Sequence, residues 1–197
     1  MRWLVVLVLA AACGSNLPKY NYAAEPDPRT SEVVLGVGDV VAINVWGEGN
    51  KDLNTEATIR PDGTITMPLV GDLKAAGQTP TELKGQIKAK LGDFVKTLQG
   101  SEITVALKTW RSYRFTIQGE VVKTGVFTTD QFVTIADALA LAGGPTRFAR
   151  RDGIVLMRTD AKTKQVRRIP FDYDLLASGK RVDMNIYVLP GDTIYVP

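Results

Sequence analysis

The sequence predicts an α+β protein built from two compact units in tandem. Short stretches of strict apolar alternation recur along the chain, beginning with Val41, Ile43 and Val45, and a period of two marks half-buried strands. Two other stretches repeat at helical spacing behind an N-cap residue, one around Leu83 and one around Ile135. The order strand, hairpin, helix, strand is complete by residue 108, and a second strand-led unit then begins. The expected boundaries are therefore 32–108 and 109–197. Units of this size bury modest cores, so they lean on each other or on neighbouring subunits.

In "VVLGVGDVVAINVWG" a turn ending at Gly38-Asp39 feeds the first strand, whose Val41, Ile43 and Val45 share one face. In "ATIRPDGTITMPLVGDLKAAG", Ile59 and Ile65 flank Pro61-Asp62-Gly63. Pro fixes φ, Asp caps the turn and Gly accepts positive φ, so a tight hairpin is expected there. Pro68 closes its second strand, and Gly71-Asp72 opens another turn. "TPTELKGQIKAKLG" switches period: Thr79 is the N-cap, Pro80 takes the first helical position and Glu82 completes a capping box. Leu83, Ile87 and Leu91 fall on one helical face, with Gly92 as a C′ stop. Ile103, Val105 and Leu107 alternate as the strand that closes the first unit.

In the second unit Tyr113, Phe115 and Ile117 alternate, followed by a Gly-Glu turn and a return strand at Val126-Phe127. "TIADALALAGGP" is a short helix capped by Thr134, with Asp137 in its first turn. Ile135, Leu139 and Ala142 face inward and Gly143-Gly144-Pro145 stops the helix. Ile154 to Met157 and Val166 to Ile169 read as two strands around a polar turn. The closing "LPGDTIYVP", with Gly191-Asp192, echoes "GDVVAINVW". Two similar turns feeding two strands account for that echo without a true repeat.

Residues 14–31 contain Pro18, Pro26 and Pro28 and no apolar period, so an extended tether is expected over 13–31. Ahead of it, Met1-Arg2 and the apolar run Leu4 to Ala12 have the length of a secretory h-region, too short to span a bilayer. Residues 1–12 are therefore expected to be a signal peptide. Cys13 is the only cysteine among 197 residues. Ala10-Ala11-Ala12-Cys13 resembles a bacterial lipobox, with Ala10 where Leu is usual and Leu9 one place further out. That resemblance implies lipidation at Cys13, and Gly14 is not the Asp that would signal retention at the inner membrane. A lone exported thiol makes no internal disulfide, and more than one acyl chain gives stable anchoring.

Formal net charge is +3, with acids and bases interspersed. No Lys/Arg stripe with interleaved aromatics is present, so nucleic acid is not an expected partner. The chain has no histidine, which removes the commonest general base and the commonest metal ligand. Asp39, Asp62 and Asp192 invite an acid–base reading. Each adjoins a glycine, however, in a turn where a carboxylate caps backbone N–H groups. Gly36, Gly38 and Gly49 lack the Lys-Ser/Thr and following helix of a phosphate loop. In "TRFARRDG", Arg147, Arg150 and Arg151 suit anionic polymer, lipid head groups or a neighbouring subunit, or make an ordinary solvated loop; the same holds for Arg167-Arg168. Trp46 and Trp110 could stack on sugar rings, although such aromatics more often anchor a core or an interface.

The blocks "LGVGDVVAINVWGE", "DGTITMPLVGDLKAAGQTPTELKGQI", "FTIQGEVVKTGVF", "TIADALALAGGP" and "LPGDTIYVP" follow in order. Together they resemble the Wza-type outer-membrane polysaccharide export proteins. Residues 32–108 look like the polysaccharide export domain and 109–197 like one SLBB domain of β-grasp type. The resemblance implies a non-enzymatic, periplasmic homo-oligomeric ring, anchored to the outer membrane by lipid and needing no metal or cofactor. Capsule or exopolysaccharide would reach it from an inner-membrane polysaccharide copolymerase. Val37 stands where Pro is usual in the first turn, and Lys123-Thr124-Gly125 where Pro-Gly is typical. Long family members carry further SLBB modules and a C-terminal pore helix, whereas this sequence runs to Val196-Pro197 with one SLBB unit. A separate outer-membrane β-barrel or other pore protein is the expected partner. The alternative is a glycan- or partner-binding SLBB module that regulates export without forming the conduit.

Overall fold

A computed structural model of the chain describes residues 19–46, 53–92, 103–160 and 163–197. Cys13 and the expected signal peptide lie outside these residues. Alternation becomes strand directly: β1 (Val40–Val45) buries Val41, Ile43 and Val45 to 2% exposure or less. It is the middle strand of an antiparallel sheet, between β2 (Thr55–Thr58) and the later strand Ile103–Thr109. Chain order continues with β3 (Thr64–Met67), β4 (Gly71–Lys74) and α1 (Pro80–Leu91), and Ile103–Thr109 is β5.

The capping box of α1 forms as the sequence predicts: the Thr79 hydroxyl accepts from the Glu82 N–H, and the Glu82 carboxylate accepts from the Thr79 N–H. Leu83, Ile87 and Leu91 are fully buried and join β1, β3 and β4 residues in one core. Thr79→Ala is expected to cost about 1 kcal/mol, read as a lower midpoint in urea, because it orphans a first-turn donor.

Three local expectations for this unit are corrected. The chain does turn at Pro61-Asp62-Gly63, where the Gly63 N–H donates to Arg60 O at 2.8 Å. The flanking strands β2 and β3 nevertheless join different sheets, so no hairpin connects them. The hairpin instead pairs β3 with β4, which makes Gly71-Asp72 the start of a strand and moves the turn to Pro68-Leu69-Val70. Leu69 takes a left-handed φ of 63° there, a conformation that does not advertise itself in a leucine. Gly92 caps α1 in right-handed geometry, with φ −57°, rather than as a left-handed C′ residue.

The second unit is a five-stranded sheet in the order β7-β6-β10-β8-β9. Its strands are β6 (Arg114–Gly119), β7 (Gly125–Thr128), β8 (Ile154–Thr159), β9 (Val166–Phe171) and β10 (Thr193–Val196). The last strand inserts parallel to β6 and antiparallel to β8. Against one face packs α2 (Ile135–Leu141), with a Thr134/Asp137 capping box and buried Ile135, Ala138 and Leu139. The Tyr113 hydroxyl, deep in this core, donates to Val188 O at 2.9 Å and accepts from the Val133 N–H at 3.1 Å. A one-turn helix α3 (Tyr173–Ala177), capped by Asp172, follows β9; nothing periodic announces it. Among the described residues no helix is long and apolar enough to cross a membrane.

The expected extended tether is also corrected where it is described. Residues 22–24 and 28–30 form 3₁₀ turns, and Tyr22 is only 4% exposed within the core of the second unit. Its hydroxyl donates to Pro170 O at 2.7 Å. Tyr20 packs against the same core beside it, and the segment forms a strap.

Candidate functional site

The two Gly-Asp turns share one hydrogen-bond pattern. Gly38 and Gly191 take φ near +90°, which fits the third position of a type II turn and favours glycine. In the first turn the Asp39 N–H donates to Gly36 O and an Asp39 carboxylate oxygen accepts from the Gly36 N–H at 2.8 Å. In the second, Asp192 does the same with Leu189, at 2.7 Å for the carboxylate. Both aspartates are almost fully buried. What distinguishes them is where the rest of each carboxylate points.

Asp39 ties the first unit to the start of the second. It accepts from the backbone N–H groups of Arg111 and Ser112 at 2.8 and 2.7 Å, and from the Ser112 hydroxyl at 2.8 Å. Gly36 lies so close to this connection that a Cβ there would meet the Ser112 Cβ at 2.3 Å. Beside it Trp110 stacks on Tyr113, with centroids 4.6 Å apart, and meets Phe132 edge-on at 4.9 Å. Trp110 is thus an anchor at the junction rather than an exposed sugar platform. The junction is a short, hydrogen-bonded corner.

Asp192 belongs to a buried ion cluster. Its carboxylate meets the Arg158 guanidinium at 2.6 Å, and the same guanidinium meets Glu25 at 2.7 Å. The side chains of Arg158, Glu25 and Asp192 are 5%, 1% and 2% exposed. Arg158 also donates to Tyr187 O, while Arg167 at 2.9 Å and the Tyr20 hydroxyl complete the shell around Glu25. Burial pushes the Asp192 carboxyl up against the opposing pull of Arg158. For Glu25 burial acts upward too, but the Tyr20 hydroxyl, Arg158 and Arg167 together hold it below the usual range. Burial and the Glu25 hydrogen bond push the Tyr20 phenol up to about 12. The cluster fastens the strap, β8 and the turn before β10 to one another. Both carboxylates are engaged by fixed donors and hold the surrounding chain in place.

The remaining predicted residues are dispersed. Asp62 is an exposed turn cap that accepts from the Thr64 N–H and hydroxyl, and Gly63 beside it is buried. Gly143 and Gly144, both at positive φ, end α2. Arg147 lies over the exposed ring of Phe148, Arg150 sits 3.8 Å from Asp152, and Arg151 pairs with Asp174 at 2.7 Å. Trp46 is 67% exposed at the end of β1. Cys13 lies outside the described residues. Among the described residues no cluster of His, Cys, Asp and Glu is placed to hold a metal ion. Sequence reasoning missed Glu25 and Arg158, whose partners lie 133 and 34 residues away and leave no local signal.

Comparison with known proteins agrees with this two-unit layout. The polysaccharide biosynthesis/export protein family model matches residues 27–108, and the SLBB domain model matches residues 114–171. The chain is 26% identical over 177 residues to the capsule polysaccharide export protein BexD of Haemophilus influenzae, covering 81% of this chain and 42% of that protein. It is 28% identical over 152 residues to the exopolysaccharide production protein ExoF of Rhizobium meliloti, covering 73% and 33%. It is 24% identical over 195 residues to the capsule polysaccharide export outer membrane protein CtrA of Neisseria meningitidis serogroup B, covering 85% and 44%. The chain spans a third to under half of the length of these relatives.

Proposed function

We propose that this chain, which belongs to the Wza-type polysaccharide export family and joins an export domain to an SLBB domain, is a non-enzymatic component of a capsule or exopolysaccharide export machine. The tandem order of the two matched domains is the observation that carries the reading. Cys13 holds the lipid, and the protein faces the periplasm from the outer membrane. Copies close into a ring, and polymer from an inner-membrane copolymerase passes through it to a separate outer-membrane pore. The Asp39 corner supports this, because a conduit keeps its bore only if both domains of each copy move together. Exposed Val122, Val126, Leu141 and Phe148 on the second domain give neighbours apolar surface to cover.

Native mass measurement of the purified protein in detergent tests the ring: a closed oligomer is expected, and a monomer overturns the conduit. The second reading, a glycan-binding module that regulates export, draws on an open depression between the loop after β7 and α2, lined by Asp130, Gln131, Asp137 and Leu141. A monomer that binds oligosaccharide would select it. Cys13→Ser is expected to leave the outer-membrane fraction and to lose the mass of its acyl chains. Unchanged partition with no acyl mass missing would overturn the anchor.

A further inference from the structure

The two edges of the second sheet are finished differently. At one edge β9 carries Pro170, which has no N–H to offer, and the Pro170 carbonyl already accepts from the Tyr22 hydroxyl at 2.7 Å. The strap also pairs Glu25 with Arg167 there, so this edge is blunted and covered. At the other edge β7 runs Gly125-Val126-Phe127-Thr128, with no proline and no charge.

The neighbouring strand fixes where the free backbone groups of β7 point. In β6 the Thr116 N–H donates to Asp192 O and the Arg114 carbonyl accepts from the Gly191 N–H, so residues 114 and 116 point toward β10. Phe115 and Ile117 therefore point the other way and bond Phe127 and Gly125, their partners in the register. That leaves the N–H and C=O of Val126 and Thr128 directed outward. Among the described residues no backbone group outside the strands meets them. They form a template for one more strand.

The side chains say what kind of strand fits. Phe127 stacks on Phe115 in the core, which turns Val126 to the opposite face, where it is 65% exposed. Past Thr128 the edge opens into the depression between the loop to Val133 and the Asp137, Ala140 and Leu141 side of α2. Its charged lining is acidic, Asp130 and Asp137, with no lysine or arginine. Asp137 is spent on the Thr134 cap, whereas Asp130 is exposed with no side-chain partner among the described residues.

We propose that β7 accepts an extended segment of a partner protein as a sixth strand, apolar where it crosses Val126 and cationic where it passes Asp130. The backbone bonds supply affinity that any extended chain would share. Asp130, beside the apolar wall at Leu141, supplies the selection.

The test uses the full-length protein and, as probe, a capped heptapeptide alternating valine with lysine at millimolar concentration. Residue-resolved amide exchange is expected to slow about tenfold at Val126 and Thr128, with Gly125 and Phe127 unchanged because they already bond β6. Thr128→Pro removes one outward N–H without touching the β6 ladder. It is expected to keep the wild-type melting temperature and to weaken the peptide about fivefold. Asp130→Lys, an exposed change that leaves the backbone alone, is expected to reverse the preference, so that a valine–glutamate heptapeptide binds better than the lysine one. Unchanged exchange at Val126 and Thr128, or binding that neither substitution alters, would overturn the proposal. So would slowing in the protein alone that grows with its concentration, since a second copy would then occupy the edge.

Discussion

Arg158→Met is expected to destabilise the second domain by about 3–5 kcal/mol, because it leaves Asp192 buried with no counter-charge and Glu25 with Arg167 alone. Glu25 and Asp192 both lose their principal partner, at 2.7 and 2.6 Å. Met matches the stem of Arg in volume, so little of the loss comes from packing. For a domain of under a hundred residues this lowers the melting temperature by more than about 12 °C. The same variant should free the strap, read as faster amide exchange at Tyr22 and proteolysis before residue 31. Glu25→Gln keeps the shape and removes one of the buried charges, so it is expected to loosen the strap with a much smaller loss of stability. If Arg158→Met melts within a degree or two of wild type, the cluster is not what fastens these elements.

Asp39→Ala is expected to cost about 3 kcal/mol and to uncouple the two domains. It orphans the N–H groups of Gly36, Arg111 and Ser112 together with the Ser112 hydroxyl. Each unsatisfied buried donor costs about 1–3 kcal/mol, and water entering the corner recovers part of the total. Two separated unfolding transitions should replace one, with new cleavage near Trp110. Asp39→Asn retains one acceptor and should lie between. A single transition at the wild-type temperature in Asp39→Ala would contradict the coupling role assigned to this carboxylate.

Legibility in the sequence tracks the range of the interaction. The Thr79/Glu82 and Thr134/Asp137 capping boxes close over three residues and could be read directly. So could the burial of Val41, Ile43 and Val45, since alternation is a local property. Pro61-Asp62-Gly63 was readable as a turn but not as a sheet boundary, because pairing depends on which distant strand arrives, and β1 took β2 while β4 took β3. The aspartates show the same split within single side chains. The turn-capping oxygen of Asp39 and of Asp192 follows from the Gly-Asp pattern, whereas the bonds to Ser112 and Arg158 span 73 and 34 residues. The strap was the hardest to read: two docking residues, Tyr22 and Glu25, among prolines carry no period.

Surface polysaccharide on intact cells tests the central claim most directly, comparing cells that lack this protein with the same cells complemented by the wild-type chain. Loss of surface polymer on deletion, restored by complementation, is the predicted result. Unchanged surface polymer, in a strain with no second copy of the gene to cover the loss, would contradict a role in export.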